Sequence, residues 1–522
     1  MTHSPTDNRE RERIWRKGGL HISAWRWPLS RPTDLLIGML AATWVIVVGV
    51  ASREGERLAY DDAFISFQYA RNLGRGLGLV FNLGERVWGF TSPLQMLILG
   101  LLTSLGIDTV RAAFYTGFLW TALAAILLYV IALRLLSPVL ALSLAGFFLL
   151  DCSQHGCYSL ESSLLVAVQL GFLLALLGER PRLANVLGGL ACLVRPDSLL
   201  LVLPGLLMNR EARRWRKLAW FVAIGLAWEG FALAYYGELI PNSYHAKSGL
   251  TGFLPFLETA AGLLTNLGAA NALDFSESST VLRALVVLAS LAPIIHPEVR
   301  QRPFLLYSLV IYPWVLIGAY SIIGTPETHT WEIYSARFLL RVSAVLGLLC
   351  VGRAVAIRLR LPTWMCASGV VLAAVYSLGG GVTRTANQVA AYRTVDNSFW
   401  GGGRYRTYRK IAGWANRNIP PGSTVAINEV GTFAYFTDLQ IIDVGGIVTR
   451  GYAPDERMNY ERFLLRFRPT FAIIPGDHSE LAISPSLSYS RVAYFPAEKF
   501  RDFTVLQTAP GARLAFQVPV SP

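Results

Sequence analysis

Two adjacent carboxylates, Asp61 and Asp62, open a stretch that is richer in polar and aromatic residues than a plain connecting loop. The stretch runs YDDAFISFQYARNLGRGLGLVFNLGERVWGFTSP, between the first two long apolar runs of the chain. A carboxylate fixed at the membrane–water boundary could act as a general base towards a hydroxyl. Asp is also a favoured helix N-cap residue, so the pair could instead serve only to cap the helix that follows.

The residues after the two aspartates have the pattern of a short amphipathic helix. Aromatic and apolar side chains alternate with polar ones, and a glycine-rich turn with Gly74, Gly76 and Gly78 ends the segment. Such a helix is typical of segments that lie flat on a membrane surface, with the aromatic side towards the lipid. The aromatic or apolar residues are Phe64, Phe67, Tyr69 and Ala70, and the polar ones are Gln68 and Arg71.

The elements that must position these residues are membrane helices. The 522 residues are 53% hydrophobic and 16% charged, whereas soluble domains carry about 25% charged residues. Several apolar runs reach the ~20 residues that cross a bilayer. The net charge of +13 lies largely in short basic clusters between these runs, which is the positive-inside pattern and not a nucleic-acid footprint. The sequence therefore predicts a polytopic α-helical membrane protein with about eleven transmembrane helices.

Charge also predicts the orientation and the division of the chain. Basic residues place the N-terminus, 1–33, in the cytoplasm, with no removable signal peptide. A transmembrane domain follows over 34–380, with the Asp61 loop, 51–92, outside, and the mixed composition of 381–522 predicts an α/β domain on the same side. Three apolar runs (93–105, 112–136 and 139–150) follow the loop. Because the loop and the polar residues after the third run are predicted on the same side of the membrane, only two of the runs can cross it, so one does not span.

Further polar residues interrupt the apolar runs. Arg195, Pro196 and Asp197 lie in the middle of 183–208, which predicts a hairpin or broken helix with these residues at the outer face. Ionisable residues at such depth are functional candidates, although an Arg–Asp pair could also only lock the bend. His245 and Lys247 follow a proline just outside the membrane, where they could meet a lipid phosphate or headgroups in general.

The Asp61 loop resembles the first extracytoplasmic loop of bacterial GT-C glycosyltransferases, which use polyprenyl-phosphate sugars. Within them it is most similar to the group of the mycobacterial terminal β-(1→2)-arabinofuranosyltransferase. The segments CYSLESSLL, LVRPDSLLL, PNSYHAK, YSARFLL and NEVGTFAYFTDLQIID resemble further elements of that family. Gln68, Phe90 and Ser92 depart from its common Arg, Tyr and Asn, so the sugar does not follow from the resemblance.

The resemblance implies inverting transfer of a sugar, with arabinofuranose expected, from a polyprenyl-phosphate donor to a hydroxyl of a cell-envelope glycan. The reaction would take place at the outer face of the bacterial inner membrane, with Asp61 or Asp62 as the base. No cofactor is required, and a Ca²⁺ or Mg²⁺ ion between Asp61, Asp62 and Glu161 is an alternative. The residues expected at the donor phosphate are Arg195, His245, Lys247 and Arg337, and those around the substrate are Arg71, Glu161, Asp197, Asn242, Tyr244 and Tyr334.

Two other functions are compatible with the sequence. One is a mannosyl- or other hexosyltransferase that acts on protein or lipid, and the other is a transporter of lipid-linked sugars. A transporter would show inverted repeats and charged sites at the membrane midplane in both halves. The chain has no internal repeat, and its charged motifs gather at one face, which favours an enzyme. The five cysteines and the histidines show no zinc pattern.

Overall fold

The computed structural model describes residues 32–51, 59–149, 159–247, 287–323, 332–359, 404–451, 460–476, 489–495 and 502–508. The described residues do not include 1–31 of the predicted cytoplasmic N-terminus. His245 and Lys247 are described by their backbone alone, without their side chains.

Helices fill the first part of the described chain. The first six are α1 (Pro32–Ala51), α2 (Asp61–Gly74), α3 (Pro93–Ser104), α4 (Thr109–Ala132), α5 (Pro138–Leu149) and α6 (Ser162–Leu177). The next four are α7 (Pro181–Val194), α8 (Leu199–Met208), α9 (Trp215–Tyr236) and α10 (Asn242–Lys247). After them come α11 (Pro297–Gln301), α12 (Pro303–Leu306), a π-helical turn (Tyr307–Ile311), α13 (Tyr312–Ile323) and α14 (Tyr334–Arg358).

Four helices of the described residues are long and apolar enough to cross a membrane: Thr109–Ala132, Trp215–Tyr236, Pro303–Ile322 and Tyr334–Gly352. Shorter apolar helices of 10–17 residues accompany them. The chain is therefore a helical membrane protein, while the total of about eleven crossings stays a prediction.

Helix α3 is the apolar run that does not cross. The Tyr129 hydroxyl near the end of α4 donates to Asp34 Oδ1 (2.7 Å) at the start of α1, so α4 and α1 are antiparallel. Helix α4 thus begins at the end of the bundle where the Asp61 loop lies, a few residues after α3 ends. Helix α3 also packs along α2, because a Cβ at Gly74 would lie 2.6 Å from Thr103 Cβ. Its 12 residues span only ~18 Å.

The predicted hairpin over 183–208 is confirmed. Arg195 ends α7 in an extended conformation, and a 3₁₀ turn (Pro196–Ser198) leads into α8. A Cβ at Gly188 would lie 2.6 Å from Val202 Cγ1, and both residues are equally far from Arg195 in sequence, so α8 folds back on α7. Asn185 Nδ2 donates to the Ala212 carbonyl (3.0 Å) at the open end. Arg195 therefore lies at the tip.

The C-terminal part forms the small α/β domain that the sequence predicts. Its described elements are α15 (Arg404–Asn418), β1 (Thr424–Ile427), α16 (Gly431–Tyr435), β2 (Gln440–Asp443), α17 (Tyr460–Phe467), β3 (Phe471–Pro475), β4 (Tyr489–Phe495) and β5 (Phe503–Thr508). The strand order is β2-β1-β3-β5-β4. Strand β1 pairs in parallel with β2 and β3, while β5 pairs antiparallel with β3 and β4. Helix α16 follows β1 and packs against α2 of the Asp61 loop.

Candidate functional site

Asp61 binds the C-terminal domain and does not cap its own helix. Tyr60 occupies the N-cap position of α2, and no side chain caps that helix. Instead, Asp61 Oδ1 accepts a hydrogen bond from the Thr432 amide (2.7 Å), and Oδ2 accepts one from the Gly431 amide (2.9 Å). Asp61 is only 5% exposed. Burial raises its pKa, and the hydrogen bonds from Thr432 and Gly431 oppose this rise. Asp62, the next residue, is partly exposed.

The aromatic side of α2 faces protein, so the prediction that it faces lipid is wrong. Phe64 and Phe67 are completely buried. The Phe64 ring lies 5.4 Å from Tyr435, 5.6 Å from Phe436 and 6.0 Å from Tyr405. The C-terminal domain covers Phe64, and Tyr69 packs on Phe81 and Phe90 of its own loop, so protein covers the surface that the amphipathic pattern assigned to the membrane.

Arg71 and Asn242, two predicted substrate residues, also contact the C-terminal domain. Arg71 Nη1 donates to the Tyr435 carbonyl (2.7 Å), and its guanidinium lies 4.3 Å from the centre of the Tyr435 ring. Asn242 Nδ2 lies within hydrogen-bonding distance of three carbonyls: Gly446 (2.7 Å), Ile447 (3.0 Å) and Thr449 (3.1 Å). A role of either side chain at the substrate stays a prediction.

Asn82, which the sequence analysis did not select, adds a further contact. Its side chain accepts from the Ile441 amide (3.0 Å) and donates to the Ile441 carbonyl (2.8 Å), so it pairs with β2 as a strand would. We call the contacts of Asp61, Arg71, Asn82 and Asn242 with residues 431–449 the clasp. Every one of these hydrogen bonds reaches a backbone group of the C-terminal domain, which fixes the domain on the Asp61 loop and on α10.

Asn242→Asp is expected to weaken the clasp. The substitution exchanges a donor for a carboxylate that faces three carbonyl oxygens, and leaving buried polar groups without a hydrogen bond costs ~1–3 kcal/mol each. We expect a lower thermal midpoint for the purified protein. Asn418→Asp is the control, because the Asn418 amide is exposed and binds a single carbonyl, that of Trp414. Equal midpoints for the two variants would contradict the account.

The loop that Asn242 binds is organised by Asp443 at the end of β2. The Asp443 carboxylate accepts hydrogen bonds from the amides of Gly445 (2.7 Å), Ile447 (2.6 Å) and Val448 (3.1 Å). Asp443 is fully buried, and burial raises its pKa to about 6. The sequence indicated only a strand end followed by two glycines here, so this structural role of the carboxylate was missed.

The stability of the protein should depend on the ionisation of Asp443. Because its pKa is higher folded than unfolded, its favourable contribution is complete below the unfolded value of 3.8 and is lost as the pH rises through about 6. We expect the thermal midpoint of the wild type, relative to that of Asp443→Asn, to fall between pH 4 and pH 6. A difference that stays constant or rises over this window would contradict the assignment.

A second polar cluster lies at the hairpin tip. Arg195 Nη1 donates to Glu161 Oε1 (2.8 Å), and Arg195 Nη2 donates to Asp197 Oδ2 (2.9 Å). The Tyr320 hydroxyl lies 2.5 Å from Arg195 Nη2 and 2.6 Å from Asp197 Oδ2. The structure thus brings Glu161 to Arg195 and Asp197, a pair that the sequence placed in a different segment. It adds Tyr320, which in the sequence is only one aromatic residue in an apolar run.

The net charge of this cluster affects its predicted role, which is binding of the donor phosphate by Arg195. One guanidinium and two carboxylates give one net negative charge, and the carboxylates already occupy Arg195 donors. A phosphate would have to compete with a carboxylate for Arg195, since both are anions that bind guanidinium in the same bidentate way. Binding of the donor phosphate by Arg195 stays a prediction.

The other predicted residues lie on two helix starts. Tyr334 and Arg337 are buried in the first turn of α14. Tyr244 is 46% exposed on α10, which also carries His245 and Lys247. Among the residues that the structure describes, no three His, Cys, Asp or Glu side chains are grouped so that they could hold a metal ion.

Helix α3 connects the two clusters. Its residues Leu94 and Ile98 pack against Leu164, Leu165 and Val194, which neighbour Glu161 and Arg195. Its other side lies along α2, which begins with Asp61. Helix α3 therefore lies between the clasp and the hairpin tip.

Fold and site together define a polytopic helical membrane protein whose Asp61 loop is bound by a small α/β domain. The same fold occurs in ArnT from Cupriavidus metallidurans. The structure of ArnT bound to undecaprenyl phosphate aligns with a TM-score of 0.54 and 16% sequence identity, covering 92% of this chain and 100% of that chain. The apo structure of ArnT aligns with a TM-score of 0.52 and 16% identity, covering 90% of this chain and 100% of that chain.

Sequence comparisons add one match. Residues 397–514, which include the C-terminal sheet, match the family described as domain of unknown function (DUF8728). No curated protein matches the sequence.

Proposed function

We propose that the chain is a membrane glycosyltransferase that moves a sugar from a polyprenyl-phosphate donor to a hydroxyl of a cell-envelope glycan. The observation that carries the proposal is the fold shared with ArnT, one structure of which holds undecaprenyl phosphate. The resemblance of the Asp61 loop to polyprenyl-phosphate-dependent GT-C enzymes supports the same reaction. The finer proposal, from that resemblance, is that the sugar is arabinofuranose and that the acceptor lies on the outer side of the bacterial inner membrane.

The reaction has simple demands. The acceptor hydroxyl attacks the anomeric carbon and gives its proton to a carboxylate of the Asp61–Asp62 pair. The bond between the anomeric carbon and the phosphate oxygen breaks, and polyprenyl phosphate leaves with the electron pair. Attack opposite the leaving group inverts the anomeric configuration. The cations proposed for the leaving phosphate are Arg195, His245, Lys247 and Arg337.

A donor panel tests the proposal. The purified protein would receive polyprenyl-phosphate arabinofuranose, mannose or glucose, labelled in the sugar, together with a cell-envelope glycan acceptor. We expect one donor to yield labelled glycan, with arabinofuranose preferred. Transfer of mannose or glucose alone would overturn the arabinofuranose assignment, and no transfer from any donor would overturn the proposed function.

A further inference from the structure

We propose that the C-terminal domain is a fixed part of the catalytic site, with Asp61 as a positioning residue that it holds and Asp62 as the general base. The inference rests on the proposed function. It assigns a task to the region that matches a domain of unknown function, and it divides the roles of the two aspartates, which the sequence left undivided.

The first observation is that both carboxylate oxygens of Asp61 accept hydrogen bonds from the C-terminal domain. Each carboxylate oxygen accepts one backbone N–H from the start of α16, at 2.7 and 2.9 Å. There is also little room at this contact, since a Cβ at Gly431 would overlap the carbonyl oxygen of Asp61. A general base has to come within ~2.6–3.2 Å of the hydroxyl that it deprotonates. An acceptor sugar would have to separate the two domains to come this close to Asp61.

The second observation is the position of Asp62. It is the next residue of the same helix, about 100° further round the helix axis than Asp61. It is partly exposed, whereas Asp61 is buried. A partly exposed aspartate, next to a buried one that anchors the helix, meets the geometric demand on the base better than Asp61 does.

The third observation is that the helix is fixed at two points. Asp61 anchors the first residue of α2, and Arg71 anchors its third turn to the Tyr435 carbonyl. Phe64 lies between them against the rings of Tyr435 and Phe436. All three contacts reach α16 or the residue after it, so this short segment of the C-terminal domain sets the rotation and position of the helix that carries Asp62.

An ion pair stabilises the turn that precedes α16. Arg404 Nη2 donates to Glu429 Oε1 at 2.7 Å, and both side chains are less than one-fifth exposed. Glu429 precedes Gly431 by two residues and follows β1, so this ion pair ties α15 to the turn that presents the two amides. In the reaction, Asp62 would accept the hydroxyl proton as the new glycosidic bond forms and the phosphate bond breaks. Asp61 would keep its two hydrogen bonds throughout.

Three single variants test the division of roles: Asp61→Asn, Asp62→Asn and, as the control, Asp438→Asn at an exposed aspartate of the C-terminal domain. Polyprenyl phosphate release would be measured against pH, and hydrogen–deuterium exchange would be followed in the peptide 428–436. For Asp62→Asn we expect a loss of ~10²–10⁴-fold and no acid limb in the pH–rate profile. Its exchange should match the wild type, and Asp438→Asn should match the wild type in both measurements.

For Asp61→Asn we expect faster exchange in 428–436 and a rate loss of up to ~10²-fold, the effect of a misplaced catalytic group. Its acid limb should remain, because the base is still present. Gly431→Ala, which keeps both aspartates but forces α16 away, should behave in the same way, and it replaces Asp61→Asn if that variant does not fold.

Two results would overturn the inference. Loss of the acid limb in Asp61→Asn, with its retention in Asp62→Asn, would make Asp61 the base. Unchanged exchange in both Asp61→Asn and Gly431→Ala would remove the holding role of the C-terminal domain. If the wild type releases no polyprenyl phosphate from any donor, the proposed function and the base assignment both fail, while the exchange result still decides whether the domain holds Asp61.

Discussion

The double variant Asp61→Asn/Asp62→Asn is expected to lose polyprenyl phosphate release by at least ~10²–10⁴-fold, the usual contribution of a general base. It removes the base whichever of the two aspartates serves. Asn keeps the size of the side chain but is not basic enough to accept the hydroxyl proton. Release from a donor labelled in the phosphate, measured in a single turnover with acceptor present, gives the rate directly.

The control for this variant is Asp438→Asn, the same chemical change at an exposed aspartate of the C-terminal domain. Its rate should equal that of the wild type. Donor binding should survive in the double variant, because the proposed phosphate ligands are other residues. A double variant that turns over donor at the rate of the control would remove both aspartates from the chemistry and leave the fold assignment intact.

Arg195→Met is expected to destabilise the transmembrane domain by ~3–5 kcal/mol, because it leaves the buried carboxylate of Glu161 and the partly buried carboxylate of Asp197 without their cation. Both Arg195 and Glu161 have side chains only 8% exposed. The loss would appear as a lower thermal midpoint of the purified protein. Because Tyr320 joins the same network, the start of α6, the hairpin tip and α13 should loosen together.

Arg214→Met is the matched control for this second prediction. Arg214 also forms a 2.7 Å ion pair, with Glu211, but the two side chains are 66% and 52% exposed. Exposed pairs of this kind contribute ~0–1 kcal/mol. Equal midpoints for Arg195→Met and Arg214→Met would mean that the hairpin-tip network does not support the fold, and it would favour a purely functional role for Arg195.

The hairpin at Arg195 could be predicted from sequence because two charges cannot lie in the middle of a straight transmembrane helix without a large cost. The identity of the run that does not cross could not be predicted. Loop charges fix only the parity of crossings, whereas the direction of α4 depends on the contact between Tyr129 and Asp34. Length alone left two short candidates, and the direction of α4 decides between them.

The environment of α2 shows the opposite case. An amphipathic pattern indicates that one side of a helix is covered, but it does not indicate whether lipid or protein covers that side. Phe64 is covered by Tyr405, Tyr435 and Phe436, which follow it by more than 340 residues. Because of the same long-range packing, Asp61 accepts hydrogen bonds from the Gly431 and Thr432 amides and does not cap its own helix. Predictions from local sequence patterns cannot identify contacts between residues so far apart in the chain.

The clasp joins segments that are far apart in the sequence. Asp61 binds the Gly431 and Thr432 amides of the NEVGTFAYFTDLQIID segment, and Asn242 of the PNSYHAK segment binds carbonyls of the loop that follows it.

We propose that the protein cleaves a polyprenyl-phosphate sugar and does not merely carry it across the membrane. The most direct measurement uses wild-type protein in liposomes and a donor labelled in both the sugar and the phosphate, with and without glycan acceptor. The account predicts that sugar label moves to the glycan while phosphate label stays with the lipid, and only when acceptor is present. Movement of the intact, doubly labelled donor between leaflets without cleavage would contradict it and identify a transporter.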